Sequence, residues 1–175
     1  YKSEDFDING NGAILNTIPL TLIPTTSGSG SEVTKYCVAS NSLTQRKFTV
    51  SNYNILPHNA VIETSFLLDI PLYIRLSSTL DAFIHCYEAF LNHDLDEVSK
   101  ILCIKALDDI CIGINSYDKE KINRIAYGSL IAGALINNYR TGLIHTISVA
   151  LSEYTNLPHG MLNLSLIHIS EPTRP

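Results

Sequence analysis

"SSTLDAFIHCYEAFLNH", Ser77 to His93, decides how the rest of the chain is read. Leu80, Phe83, Ile84, Tyr87 and Phe90 recur near the helical period, which predicts an amphipathic helix rather than a strand. On that helix Asp81 and His85 lie one turn apart and project from one face. A carboxylate and an imidazole so placed either hydrogen-bond to each other in support of packing, or ligate one metal ion.

Helical patterning continues after this stretch. "LDEVSKILCIKALDDICIGI" (Leu95–Ile114) offers Val98, Ile101, Leu102, Ile104 or Lys105, and Leu107 as its expected apolar face. "DKEKINRIAYGSLIAGALINN" (Asp118–Asn138) opens on Asp118 with Glu120 close behind, an N-terminal helix signal. Its centre is small and apolar, which suits close packing against a neighbour. "GLIHTISVALSEY" (Gly142–Tyr154) reads as a further helix that closes before Pro158. Ahead of Leu68 the pattern is strand and turn. "LNTIPLTLIP" (Leu15–Pro24) reads as a buried strand, and "TTSGSGSE" (Thr25–Glu32) as a Gly/Ser-rich loop. "TKYCVAS" and "RKFTVSN" flank "NSLTQ" as a hairpin, and "NAVIE" (Asn59–Glu63) reads as one more short strand.

The chain has 175 residues, 45% of them hydrophobic, which allows a sizeable core. The formal charge of −5 comes with no basic run, so neither nucleic acid nor an anionic membrane is an expected partner. No apolar run is long enough to span a bilayer. Cys37, Cys86, Cys103 and Cys111 form no CxxC pair, and three fall in helical patterns as small core residues. Reduced cysteines of this kind lead us to expect a cytoplasmic protein. The sequence opens without Met, which reads as a fragment. "LSLIHISEPTRP" (Leu164–Pro175) resembles a translated sequencing adapter, so His168 and Glu171 are given no functional weight.

Two more histidines carry chemistry. His145 lies within the apolar run of the fourth helix, and His159 lies between Pro158 and Gly160. Taken singly, one is a core residue and the other a turn residue. Taken with Asp81 and His85, they form a set of three imidazoles and one carboxylate that suits Fe(II) or Zn(II), and spacing does not choose between them.

"IPTTSGSGSEVT", "LDAFIHCYEAF", "GLIHTISVAL" and "NLPHGMLN" occur in the order found in iron-containing (group III) alcohol dehydrogenases, and the resemblance covers about residues 16–163. The resemblance implies that Asp81, His85, His145 and His159 bind the metal. It places Thr25, Thr26 and Ser29 beside the dinucleotide, with Lys47 of the hairpin near the cofactor. It also implies an α+β fragment. Residues 1–67 would be the C-terminal part of a dinucleotide-binding α/β domain, residues 68–163 an incomplete all-helical metal-binding domain, and residues 164–175 a non-native tail. The implied activity is hydride transfer between an alcohol and NAD or NADP, with Fe(2+), or Zn(2+), acting on the substrate oxygen. A small alcohol or aldehyde is the expected partner, and homo-oligomerisation is compatible with the family.

Two departures from the family pattern stand out. Val149 occupies the position of a second histidine, so no proton relay runs through it. The upstream Gly-rich phosphate-binding segment is missing, and Gly10 and Gly12 read as a turn, so the isolated chain is expected to lack dehydrogenase activity. Two alternatives stay open. One is a same-fold metal enzyme of the glycerol dehydrogenase or dehydroquinate synthase type, which uses a three-residue ligand set. The other is a helical module without catalysis.

Overall fold

The computed structural model describes residues 18–40, 47–152, 154–155 and 157–170. The elements run β1 (Thr21–Leu22), β2 (Tyr36–Ser40), β3 (Lys47–Ser51), β4 (Asn59–Ala60), α1 (Ser65–Leu68), α2 (Leu72–Phe90), α3 (Glu97–Gly113), α4 (Lys119–Tyr139), α5 (Leu143–Leu151) and α6 (His159–Ser170). The hairpin expectation holds: β2 and β3 pair antiparallel, with Tyr36 opposite Ser51 and Ser40 opposite Lys47. The expected turn Asn41–Gln45, and Gly10 and Gly12, lie outside the described residues.

The first strand differs from expectation. Only Thr21 and Leu22 pair, in parallel with Asn59 and Ala60. Ile18, Leu20 and Ile23 are exposed rather than buried. A strand's burial depends on neighbours that its own sequence does not name.

The helices form because each has a start signal and a face to bury. Asp96 caps α3 by accepting from the Ser99 amide at 2.9 Å. Asp118 caps α4 by accepting from Glu120 and Lys121, as its position in the sequence predicted. The core unites Ala82, Cys86 and Ala89 of α2, Cys103, Ala106 and Ile110 of α3, and Ala132 and Leu135 of α4. These side chains are mostly small, so the helix axes approach closely. Gly128 lets α4 come against Ile110 and the Ala106 carbonyl.

That close packing overturns the expected face of α3. Val98 is 68% exposed and Ile101 66%, and Leu102 and Ile104 are exposed too, whereas Cys103, Ala106 and Ile110 are fully buried. Leu107 alone of the predicted set packs against the core. Ridge geometry against small residues, not side-chain size, fixed the rotation of the helix. Cys86 and Cys103 are buried as expected, but Cys111 is exposed.

A second close approach positions the Gly/Ser-rich loop. Gly30 is left-handed (φ 62°), and a Cβ there would lie 2.5 Å from the Gly133 Cα of α4. The loop is thereby pinned to α4, and Asn137 of α4 accepts from the Lys35 amide just beyond it. Helical structure begins with α1 at Ser65, ahead of the boundary drawn at residue 68. At the other end α6 runs without a break through Leu164 to Ser170, across the junction drawn after Asn163. Among the described residues, no helix is long and apolar enough to cross a membrane.

Candidate metal centre

α2, α5 and α6 deliver the site. Asp81 is buried on α2, His145 is buried on α5, and His159 opens α6, half-buried. One ligand atom from each of these three residues falls within 4.8 Å of the other two. His145 Nε2 is 3.3 Å from Asp81 Oδ1, and His159 Nε2 is 3.7 Å from the same oxygen. His85 lies alongside: its ring stacks on His145 with centroids 4.3 Å apart and planes 13° apart. The Nδ1 of His85 is buried without a hydrogen-bond partner. A buried polar atom left unpaired is costly. The donor set of one carboxylate and imidazoles therefore fits a borderline divalent ion, with three residues converging and His85 adjoining them.

Three residues around the site were not assigned roles from sequence. Glu88, one turn beyond His85, accepts from His145 Nδ1 at 2.6 Å, from the Gly142 amide at 2.8 Å and from the Ile144 amide at 2.7 Å. It thus fixes the orientation of the His145 ring, leaving Nε2 to face Asp81, and caps the start of α5. The signal was present: Asp81, His85 and Glu88 share one helical face. Asn163, fully buried on α6, donates from Nδ2 to Asp81 Oδ1 at 2.8 Å. It closes the stretch "NLPHGMLN", where no periodicity ties it to Asp81. Ser148 on α5 bonds His159 Nδ1 at 3.1 Å.

Electrostatics follow from this packing. Burial pushes the Asp81 carboxyl up, but the His85, His145 and His159 imidazoles outweigh it and hold the group at about 2. Burial pushes His85 down to about 4, only partly opposed by Asp81, so its ring is neutral. Burial also acts downward on His145, but hydrogen bonds to Asp81 and Glu88 lift it to about 9. A raised imidazole stabilises the fold below its ordinary 6.5 and loses that contribution as pH rises through about 9. The metal-free protein should therefore lose thermal stability across that alkaline window. A melting temperature flat from pH 6.5 to pH 9 would show that His145 is not held this way.

The site opens into a cavity of about 1030 Å³ that reaches the hairpin and the Gly/Ser-rich loop. Ser29 and Val149 line it, whereas Thr25 and Thr26 are exposed and do not. Lys47 belongs to β3, and its side chain lies outside the described residues, as does that of His168; Glu171 lies outside them altogether. Arg140, on the cavity wall after α4, has φ 59° and ψ 174°, a region nearly reserved for glycine. Strain there costs about 1–3 kcal/mol, against roughly 0.5–1 kcal/mol for the entropy a glycine would lose. Arg140→Gly is expected to raise the melting temperature by roughly 2–4 °C, read by calorimetry; a lower value would mean the backbone is unstrained.

Comparison with known proteins bears on this geometry. Residues 75–169 match the Fe-containing alcohol dehydrogenase family, C-terminal part, and residues 2–64 match iron-containing alcohol dehydrogenase. The chain is 29% identical to a 1,3-propanediol dehydrogenase of Citrobacter freundii, over 95% of this chain and 45% of that protein. It is 29% identical to alcohol dehydrogenase 4 of Saccharomyces cerevisiae (strain ATCC 204508 / S288c), over 88% of this chain and 42% of that one. A crystal structure of 1,3-propanediol oxidoreductase superposes with a TM-score of 0.81 at 27% identity, over 85% of this chain and 40% of that one. The chain thus spans under half the length of the relatives it matches. The first family match covers α2 to α6, the helices that carry Asp81, His145 and His159, and on these grounds the chain belongs to the iron-containing alcohol dehydrogenase family.

Proposed function

We propose that this chain forms the metal-binding part of an NAD(P)-dependent alcohol dehydrogenase or aldehyde reductase. The observation that carries the reading is the convergence of Asp81, His145 and His159 on one point beneath an open cavity. A divalent ion, Fe(2+) or Zn(2+), supplies Lewis acidity toward an alcohol or carbonyl oxygen. A bound nicotinamide supplies the hydride carrier.

The chain's own residues do the rest. Asp81, ionised, and the neutral His85 are in ligand-ready forms. Glu88 holds the His145 ring so that Nε2 points inward, and Ser148 does the same for His159. Asn163 fixes one oxygen of Asp81. Ser29, with Thr25, Thr26 and Lys47, is our proposed cofactor side. Val149 presents a hydrocarbon wall that neither accepts nor passes a proton.

Full-length protein treated with a chelator should lose aldehyde-dependent NAD(P)H oxidation and regain it on adding Fe(2+) or Zn(2+). Turnover indifferent to metal removal would contradict this reading. A second reading, the three-ligand type of the glycerol dehydrogenases and dehydroquinate synthases, draws support from the adjoining position of His85. His85→Ala separates the two: retained metal favours three ligands, and lost metal favours four.

A further inference from the structure

We infer that Arg140 reads a carboxylate at the far end of the substrate, so that the site takes ω-hydroxy acids and the corresponding aldehyde acids. The inference rests on the reading of the site as an alcohol or aldehyde oxidoreductase and names its substrate class.

Beside the imidazoles of the site, the cavity wall carries two cationic side chains, Lys35 and Arg140, and one carboxylate, Asp81. Asp81 is committed to His145, His159 and Asn163 and is unavailable to a cation. Lys35 is engaged by neutral groups only, on the hairpin side: its ammonium donates to the Tyr53 hydroxyl at 3.0 Å and lies 4.2 Å from the centre of that ring. Arg140 is exposed on the wall and makes no ion pair or side-chain hydrogen bond among the described residues. An unpaired cation in a chain of net charge −5 is not part of a general basic surface.

The backbone supports the same conclusion. Arg140 keeps a conformation suited to glycine, immediately ahead of the segment Thr141–Gly142 that leads into α5 and His145. Strain of this sort persists where the surroundings impose it, and it concentrates at ligand-binding positions. A guanidinium presents a planar fork of donors that matches a carboxylate with two parallel hydrogen bonds. Thr141, Thr146 and Val149 line the same cavity as Arg140 and the imidazoles, giving a largely uncharged wall for a short carbon chain. A substrate would place its hydroxyl or carbonyl end at the imidazoles and its carboxylate at Arg140.

The phosphates of a dinucleotide are the other source of anionic oxygen, and the test separates the two. Full-length, metal-loaded protein would be assayed with ω-hydroxycarboxylates and with 1-alkanols of equal carbon count, as wild type, Arg140→Gln and Arg140→Gly. The Gly variant suits the backbone and guards against misfolding of the Gln variant. The ratio of kcat/KM for carboxylate over alkanol should fall roughly ten- to a hundredfold in both variants, as expected for loss of a charge-assisted hydrogen-bonded pair. An unchanged ratio overturns the inference, and so does an unchanged ratio with a raised KM for NAD(P), which would assign Arg140 to the cofactor. Absence of turnover with every substrate would instead sink the activity reading. Calorimetric binding of an ω-hydroxycarboxylate then decides the matter: weaker binding in Arg140→Gly upholds the inference, and equal binding overturns it.

Discussion

Gly160→Ala is expected to disrupt the site and much of the fold with a single methyl group. A Cβ at this position would lie 1.9 Å from the Ser77 carbonyl oxygen and 3.2 Å from the Asp81 amide. Both contacts are with α2 backbone, which cannot rotate away as a side chain can. α6 would have to retreat from α2, taking His159 and Asn163 with it. Overpacking a tight interface typically costs about 1–3 kcal/mol, and a clash with backbone belongs at or beyond the upper end. The variant should melt well below the wild type and bind divalent metal weakly, as read by thermal unfolding and metal titration. Unchanged stability and affinity would mean that α6 does not pack here.

Glu88→Ala is expected to be the most damaging loss of a side chain outside the ligand set. It removes the acceptor for His145 Nδ1 and for the Gly142 and Ile144 amides together. A buried donor left unsatisfied costs about 1–3 kcal/mol, and His145 Nδ1 is such a donor, while the two amides are only partly buried and add less. The His145 ring would also lose its fixed orientation. Removal of such a partner typically lowers metal affinity about 10- to 100-fold. Glu88→Gln, which keeps an acceptor oxygen but no charge, should recover part of the stability and less of the affinity. Equal metal affinity in wild type and Glu88→Ala would refute the orienting role.

Much of this arrangement was legible in the sequence, and the exceptions have physical causes. The four long helical patterns, the hairpin and the cap at Asp118 depend on local periodicity and local hydrogen bonds, which a sequence displays directly. The meeting of Asp81, His145 and His159 was legible only through motif order, since each residue taken alone reads as ordinary packing or a turn. The rotation of α3 was not legible. It follows from how Gly128 and Ala106 let two helices approach, and that contact is non-local. The exposure of Leu20 and Ile23 has the same origin, because a strand's partners decide its burial. Asn163 acts across 82 residues of sequence on Asp81, a distance over which no periodicity speaks.

The backbone at Arg140 teaches a related lesson. Nothing in "NNYRTG" announces an arginine in a glycine-like conformation. Local preference and observed geometry disagree there, and such disagreements gather where a site demands them.

The most direct measurement is metal content. Full-length protein purified without chelators should carry about one equivalent of iron or zinc by elemental analysis, as a single site requires. A His145→Ala His159→Ala variant that is folded by circular dichroism should carry none. Absence of metal in the wild type under metal-replete conditions, or equal metal in both proteins, would contradict the central claim that these helices build a metal centre.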